Sequence, residues 1–473
     1  MSEKFSLSKL LGGARSQSFA DFAMGKIYPF IFVFLALLGH TLGVEVFTIN
    51  VATVLAVFAL IFAPTARPLI PYAMTIVFHI SRINAPGVPT NSTFLTSGWG
   101  LAMNVFSFVL LMLGMVYFVL RRRLYRFFKM RHLAVIVPLL VFSLFITVNG
   151  VFSSEWTPAS LLYGFAVGFF LSLVFLFFFY GLKRDERVAK YVSYVACLVV
   201  GLLLLELAFA YYDAGVIDEA QIIKSNIVFG WGVWNSMGMA LLQLIPLVFI
   251  GALSHSKKKA FGYLLIAMLA LFGIMFTLSR GALIFGVLVF VGIIIFMAFA
   301  SHHKVIYRVL AIVSVVIVIA AFIVMGERSG EILGELFNDN GRFDLFLIGL
   351  KNFLDAPIFG VGFFGFKFPD DPNYFAGASF LPAMAHQHLI ELLSASGILG
   401  VISYLGYRVS TVLPLFKEPS QKKVLLFLSA FTVVLMSIFD NFIFSIWPTV
   451  TYSIALAAMM NEHSHSHETP EKH

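Results

Sequence analysis

Residues 281–300 read GALIFGVLVFVGIIIFMAFA, twenty positions without one charged side chain. As a helix rising about 1.5 Å per residue, that stretch is about 30 Å long, the thickness of a bilayer's hydrocarbon core. Arg280 stands before it and Lys304 shortly after it, so charge resumes where water would. Strands crossing lipid would need the period-two alternation of a closed barrel, and the stretch shows none.

The pattern repeats along the chain. Apolar windows fall near 27–44, 46–63, 68–81, 98–120, 133–151, 159–182 and 190–212, then near 236–253, 260–277, 281–300, 305–325, 387–406, 423–439 and 444–460. The expected fold is therefore all-α, a polytopic transmembrane bundle of about 14 spans. The chain is 60% hydrophobic and 12% charged over 473 residues, which excludes a water-soluble domain. The one cysteine, Cys197, lies inside an apolar window and reads as inert packing. The formal charge of +8 does not indicate nucleic acid, because basic residues gather at window ends instead of along one face.

Those charges orient the chain. With a cytoplasmic N-terminus, the inner segments hold the cluster Arg121, Arg122, Arg123, Arg126, Lys129 and Arg131 and most other Lys and Arg. Seven remain outside, namely Arg82, Lys224, Arg280, Arg328, Arg342, Lys351 and Lys367. The expected layout is a cytoplasmic segment over 1–26 with no removable signal peptide, spans over 27–325 and an extracytoplasmic loop over 326–385. Spans over 386–460 and a disordered, His-rich cytoplasmic tail over 461–473 complete it. The loop is long where connections are usually short, and it carries an amphipathic helix near 342–354 with Phe343, Phe346, Leu350 and Phe353 at helical spacing. Pro357 ends that helix, and Gly360, Gly362 and Gly365 turn the chain after it.

Charges that are few, outside and beside the membrane are the functional candidates. Arg280 stands at the outer mouth of a helical hairpin, Arg342 opens the loop helix, and His386-Gln387-His388-Leu389-Ile390-Glu391 marks the return to the membrane. Two forked guanidiniums suit a diphosphate. A histidine beside them suits removal of a proton from an attacking hydroxyl. Together they describe a transferase that works without a metal. Arginine at a span boundary also serves as an anchor, and His388 could pair with Glu391 three residues on, or Glu391 could orient a histidine. Asp370-Asp371 is a weaker candidate for a divalent cation. Glu206 within its span balances snorkelling against function, and the tail histidines His463, His465, His467 and His473 read as solvated.

The order Leu-Ser-Arg-Gly-Ala at 278–282, Gly-Arg before an amphipathic helix, Ala-Pro-Ile-Phe-Gly-Val-Gly at 356–362, His-Gln-His-Leu-Ile-Glu-Leu-Leu at 386–393 and Gly-Ile-Leu-Gly at 397–400 resembles the O-antigen ligase and Wzy-type polysaccharide polymerase superfamily. The resemblance covers roughly 226–405, and Trp234-Asn235-Ser236-Met237-Gly238 ahead of Pro246 is similar to the family's Asn-containing segment. It implies a GT-C-type glycosyltransferase of the bacterial cytoplasmic membrane. The donor would be an undecaprenyl diphosphate-linked oligosaccharide on the outer face and the acceptor a glycan or lipid-glycan, with no nucleotide sugar and no ATP. Flippase and chain-length regulator proteins are candidate partners, alongside the membrane lipids. Arg280 and Arg342 match the arginines that hold the diphosphate, and His386 the histidine that assists the acceptor hydroxyl. The family often has His-Asn where this chain has His386-Gln387, which leaves His386 and His388 both open as the base. Polymerase is favoured slightly over ligase. The alternatives from other classes are a lipid-linked oligosaccharide flippase or other transporter, which would show inverted repeats and midplane charges, and a sensor or scaffold.

Overall fold

A computed structural model describes residues 14–80, 98–124, 133–182, 187–213, 228–301, 304–310, 312, 342–365, 385–417 and 419–462. The described residues are helical almost throughout, as a chain must be when lipid offers its backbone no hydrogen bonds. One small antiparallel hairpin, Val228–Phe229 with Gly232–Val233, is the sole sheet among them.

The first of two compact units draws on Met1–Lys129, Leu176–Ser279 and Met460–His463. It contains α1 (Ala14–Met24), α2 (Ile27–Leu42), α3 (Glu45–Phe62), α4 (Leu69–Thr75) and α5 (Gly98–Arg121). The end of α7 (Pro158–Gly181) follows, then α8 (Arg187–Asp213), α9 (Trp234–Ser254) and α10 (Lys257–Phe276). Helix α9 is its core, buried without a break from Met237 to Ala252. Small residues let neighbours close on it: a Cβ on Gly251 would lie 2.2 Å from the Tyr263 ring. Helix α5 is the opposite case, with Trp99, Phe108, Leu113 and Leu120 all exposed. A soluble protein would bury that face; here hydrocarbon covers it at no hydrophobic cost.

The second unit draws on Met130–Phe175 and Arg280–Met459. It holds α6 (Leu133–Thr147), the start of α7, α11 (Arg280–Ala300) and α12 (Arg342–Asp355). The last three helices are α13 (His388–Lys417), α14 (Gln421–Met436) and α15 (Ile446–Asn461).

Among the described residues eight helices are long and apolar enough to cross a membrane, or nine if α1 and α2, bent by 67°, form one span. The described residues do not by themselves confirm the expected 14. The window at 68–81 is a seven-residue helix that tightens into a 3-10 turn, Ile76–His79, and that at 133–151 is the shorter α6. Windows 423–439 and 444–460 are helices of 16 residues each. Most of window 305–325 lies outside the described residues, as do Asp370-Asp371 and the tail histidines. Asn461, expected to begin the tail, ends α15, and its Nδ2 donates to the Phe179 carbonyl at 3.0 Å.

The twelfth window, 387–406, differs most. Helix α13 breaks at Gly397, where φ is +64°. Residues 388 and 404 would be about 24 Å apart along a straight helix, yet the His388 and Tyr404 rings are 5.4 Å apart. The His388–Ser396 arm therefore folds back beside the Ile398–Lys417 arm. A break in lipid leaves backbone groups to be satisfied by protein, and residues 357–362 do this on both sides. Ile398 and Leu399 donate to the carbonyls of Pro357 and Ile358, while Ser394 and Ala395 carbonyls accept from Val361 and Gly362.

Helix α12 has the expected amphipathic character and no spanning length. Leu345 and Ile348 pack on Ala385 and Ile390, whereas Phe343, Phe346, Leu347 and Leu354 are exposed. The exposed stripe suits a helix lying at a membrane surface.

Candidate active site

Strain marks the candidate segments. Among the described residues three non-glycine positions have positive φ, Arg123, Leu278 and His386. Two of them flank the motifs singled out in the sequence: Leu278 lies two residues before Arg280, and His386 opens the folded-back arm. Non-glycine residues hold this conformation at a cost of about 1–3 kcal/mol, and such cost collects at functional sites.

The arm start is capped at several points. Gln387 Oε1 accepts from the Ile390 N–H at 2.7 Å, the work an N-cap carboxamide does, which Asn would do equally at that position. Glu391, 1% exposed, accepts from the Ala385 N–H at 2.7 Å. It thus ties down the residue before His386, through a bond to backbone and not to His388.

The two histidines have different surroundings. His388 is 2% exposed; its backbone N–H and its Nδ1 both point at the Ser437 carbonyl, at 3.1 and 2.6 Å. A carbonyl only accepts, so Nδ1 carries the hydrogen. Tyr404 closes the other side of the ring. His388→Ala is expected to lower stability by about 1–3 kcal/mol, since the Ser437 carbonyl loses its shorter bond inside the bundle. Thermal unfolding in detergent would measure this, and a folded His388→Ala protein should keep its turnover.

His386 is open to solvent, with 42% of its side chain exposed, and its Nδ1 lies 3.3 Å from Asp440 Oδ1. The separation is at the long end for a hydrogen bond. A carboxylate that accepts from Nδ1–H leaves Nε2 as the ring's free base, aimed away from its orienting partner.

Asp440 sits in the turn after α14, and that turn gathers the site. Its Ser437 carbonyl holds His388, its Asp440 holds His386, and its Phe439 packs on the start of α11. A Cβ on Gly281 would meet the Phe439 ring at 3.1 Å, and the Phe285 and Phe439 rings are 5.6 Å apart. Arg280, next in chain to Gly281 and half-buried, is thereby brought to the same turn. Asn441 follows, 4% exposed, with neither side-chain atom hydrogen-bonded. The backbone of Arg342 opens α12, and its side chain lies outside the described residues. In the first unit Ser279 Oγ donates to Asn235 Oδ1 at 2.8 Å, joining two of the motif segments.

Asp440 is the residue that sequence reasoning misses. It stands 54 residues from His386. The available signal is positional: an acid between the windows ending at 439 and beginning at 444, on the side predicted for His386.

Residues 265–405 match a family model described as O-Antigen ligase. That stretch contains Arg280, Arg342 and His386 and ends before Asp440. No curated protein matches the chain.

Proposed function

We propose that this multi-pass membrane protein, whose residues 265–405 match a family model described as O-Antigen ligase, transfers or polymerises glycan units from an undecaprenyl diphosphate carrier on the outer face of the bacterial cytoplasmic membrane. The observation that carries this is the His386–Asp440 pair, solvent-accessible and beside the start of α11.

In the proposed reaction the acceptor hydroxyl gives its proton to His386 Nε2 as its oxygen bonds to the anomeric carbon. The bond from that carbon to the diphosphate oxygen breaks on the opposite face, inverting the carbon, and the electron pair leaves with the diphosphate. Arg280 and Arg342 take up the negative charge that develops there. Asp440 steadies the imidazolium formed on His386, in the orienting role a carboxylate plays behind a histidine base. Positioning and fixed charge supply the rate enhancement, with no covalent enzyme intermediate.

Arg280→Ala should lower transfer about a hundred- to a thousandfold, the range seen when one preorganised donor to a developing anion is removed. Arg280→Lys should restore only part of it, because a lysine amine lacks the fork. The measurement is conversion of purified undecaprenyl diphosphate oligosaccharide, sized on a gel. Stepwise extension identifies a polymerase and a single transfer to a distinct lipid a ligase; wild-type turnover in Arg280→Ala would overturn the assignment of the arginine.

A further inference from the structure

A cavity of about 920 Å³ opens in the second unit, away from the His386–Asp440 contact. Its walls are the turn after α6, the second half of α12 and the loop that follows it. Size alone puts it in the range of small-molecule sites, roughly 300–1,000 Å³.

The walls are held in place. Gly150 N–H donates to the Phe359 carbonyl, Phe363 N–H to Asn149 Oδ1 at 2.9 Å, and Phe364 N–H to Ser160 Oγ at 3.0 Å. Gly150, Gly360 and Gly362 all have positive φ, and a Cβ on any of them would come within 2.8 Å of a neighbour. Only glycines permit these three chain segments to cross so closely. The cavity is thus preformed.

Its lining is mixed. Glu155, Lys351, Asn352 and Asp355 supply acceptors and donors, and Phe152 and Phe359 supply an aromatic corner with ring centroids 4.8 Å apart. Phe152 is 78% exposed at the rim. Among the described lining residues acidic groups outnumber the basic one, which opposes a diphosphate. A sugar chain meets each feature, because its hydroxyls both donate and accept while the C–H faces of its rings pack on aromatic surfaces.

The cavity is also tied to the folded-back arm. Asn352 Nδ2 donates to Ser394 Oγ at 3.2 Å, and the Val361 wall donates to the Ser394 carbonyl at 2.8 Å. Ser394 lies about 9 Å along the arm from His388, by helical rise. A few linked sugars cover that distance.

We infer that this cavity is a glycan subsite, holding the sugar portion of a lipid-linked substrate while its diphosphate is held elsewhere. The inference rests on the proposed transferase reaction for the identity of that substrate.

The test uses the purified full-length protein and lipid-free oligosaccharide repeats released by mild acid from the producing cell's own surface polysaccharide. Binding is measured by calorimetry for the wild type, Phe152→Ala, Asp355→Asn and Gly406→Ala. Wild type and Gly406→Ala, whose added Cβ meets open space, should bind alike, and each cavity variant should bind about ten- to a hundredfold more weakly. Inorganic pyrophosphate should not displace the oligosaccharide. In turnover assays the cavity variants should raise KM for one glycan substrate; a rise for the donor assigns the bound sugars to it, and a rise for the acceptor assigns them there. Undiminished binding in both cavity variants, no binding by the wild type, or displacement by pyrophosphate would overturn the subsite. Failure of the transferase reaction reads differently: oligosaccharide binding would persist and depend on the cavity while the wild type turned over no lipid-linked glycan.

Discussion

Replacing His386 with alanine is expected to cut glycan transfer about a hundred- to ten-thousandfold, the usual worth of a positioned general base. The His386 side chain is 42% exposed where His388 is buried, so the variant should insert and fold. Donor KM should stay near the wild-type value, because the imidazole acts on the acceptor's proton in the transition state and not on the diphosphate. Asp440→Asn should fall between wild type and His386→Ala, and Asp440→Glu should recover part of the loss. A merely structural Asp440 would give no such graded order, since its Oδ1 bond to the Asn441 N–H, at 2.8 Å, is one that asparagine can also accept. Wild-type turnover in His386→Ala would remove the base from the proposed reaction.

Gly397→Ala is expected to be among the most destabilising conservative changes in the second unit. Its φ of +64° alone charges a non-glycine residue about 1–3 kcal/mol. The added Cβ would also fall 2.4 Å from both the carbonyl carbon and the oxygen of Ile358, backbone atoms that cannot swing aside. Relief would require moving the 357–362 segment, and with it the hydrogen bonds that satisfy both ends of the break. Little monodisperse protein should survive extraction in detergent, and what does should melt well below the wild type. Gly406→Ala, on the same helix with open space where its Cβ would go, is the control and should be close to neutral. Equal melting temperatures for the two variants would mean that the fold-back at Gly397 is not needed.

Much of the molecule was legible in its residues because lipid is an exacting solvent. A window such as 281–300 has one structure that satisfies its backbone in hydrocarbon, and α11 occupies Arg280–Ala300. The amphipathic helix at 342–355 followed from spacing in the same way. The motif residues Arg280 and His386 stood out as charge and imidazole at window edges. Hydropathy carries no directional information, however, and so read 387–406 as one straight crossing. It could not see that Gly397 reverses the helix, since a glycine in an apolar run reads the same whether its φ is negative or positive. Nor could it separate His386 from His388, two positions apart, when what distinguishes them is the carbonyl of Ser437 and the carboxyl of Asp440 on another helix's end.

The sequence by itself thus determined an all-helical membrane protein, the amphipathic helix and the residue types on which the chemistry rests, because each depends on near neighbours and on the solvent around them. Tertiary structure alone decided which histidine is open and which is buried, and that an aspartate 54 residues away stands behind the open one. Those outcomes depend on distant segments meeting at the turn after α14, and that meeting depends on a backbone reversal only a residue without a Cβ allows.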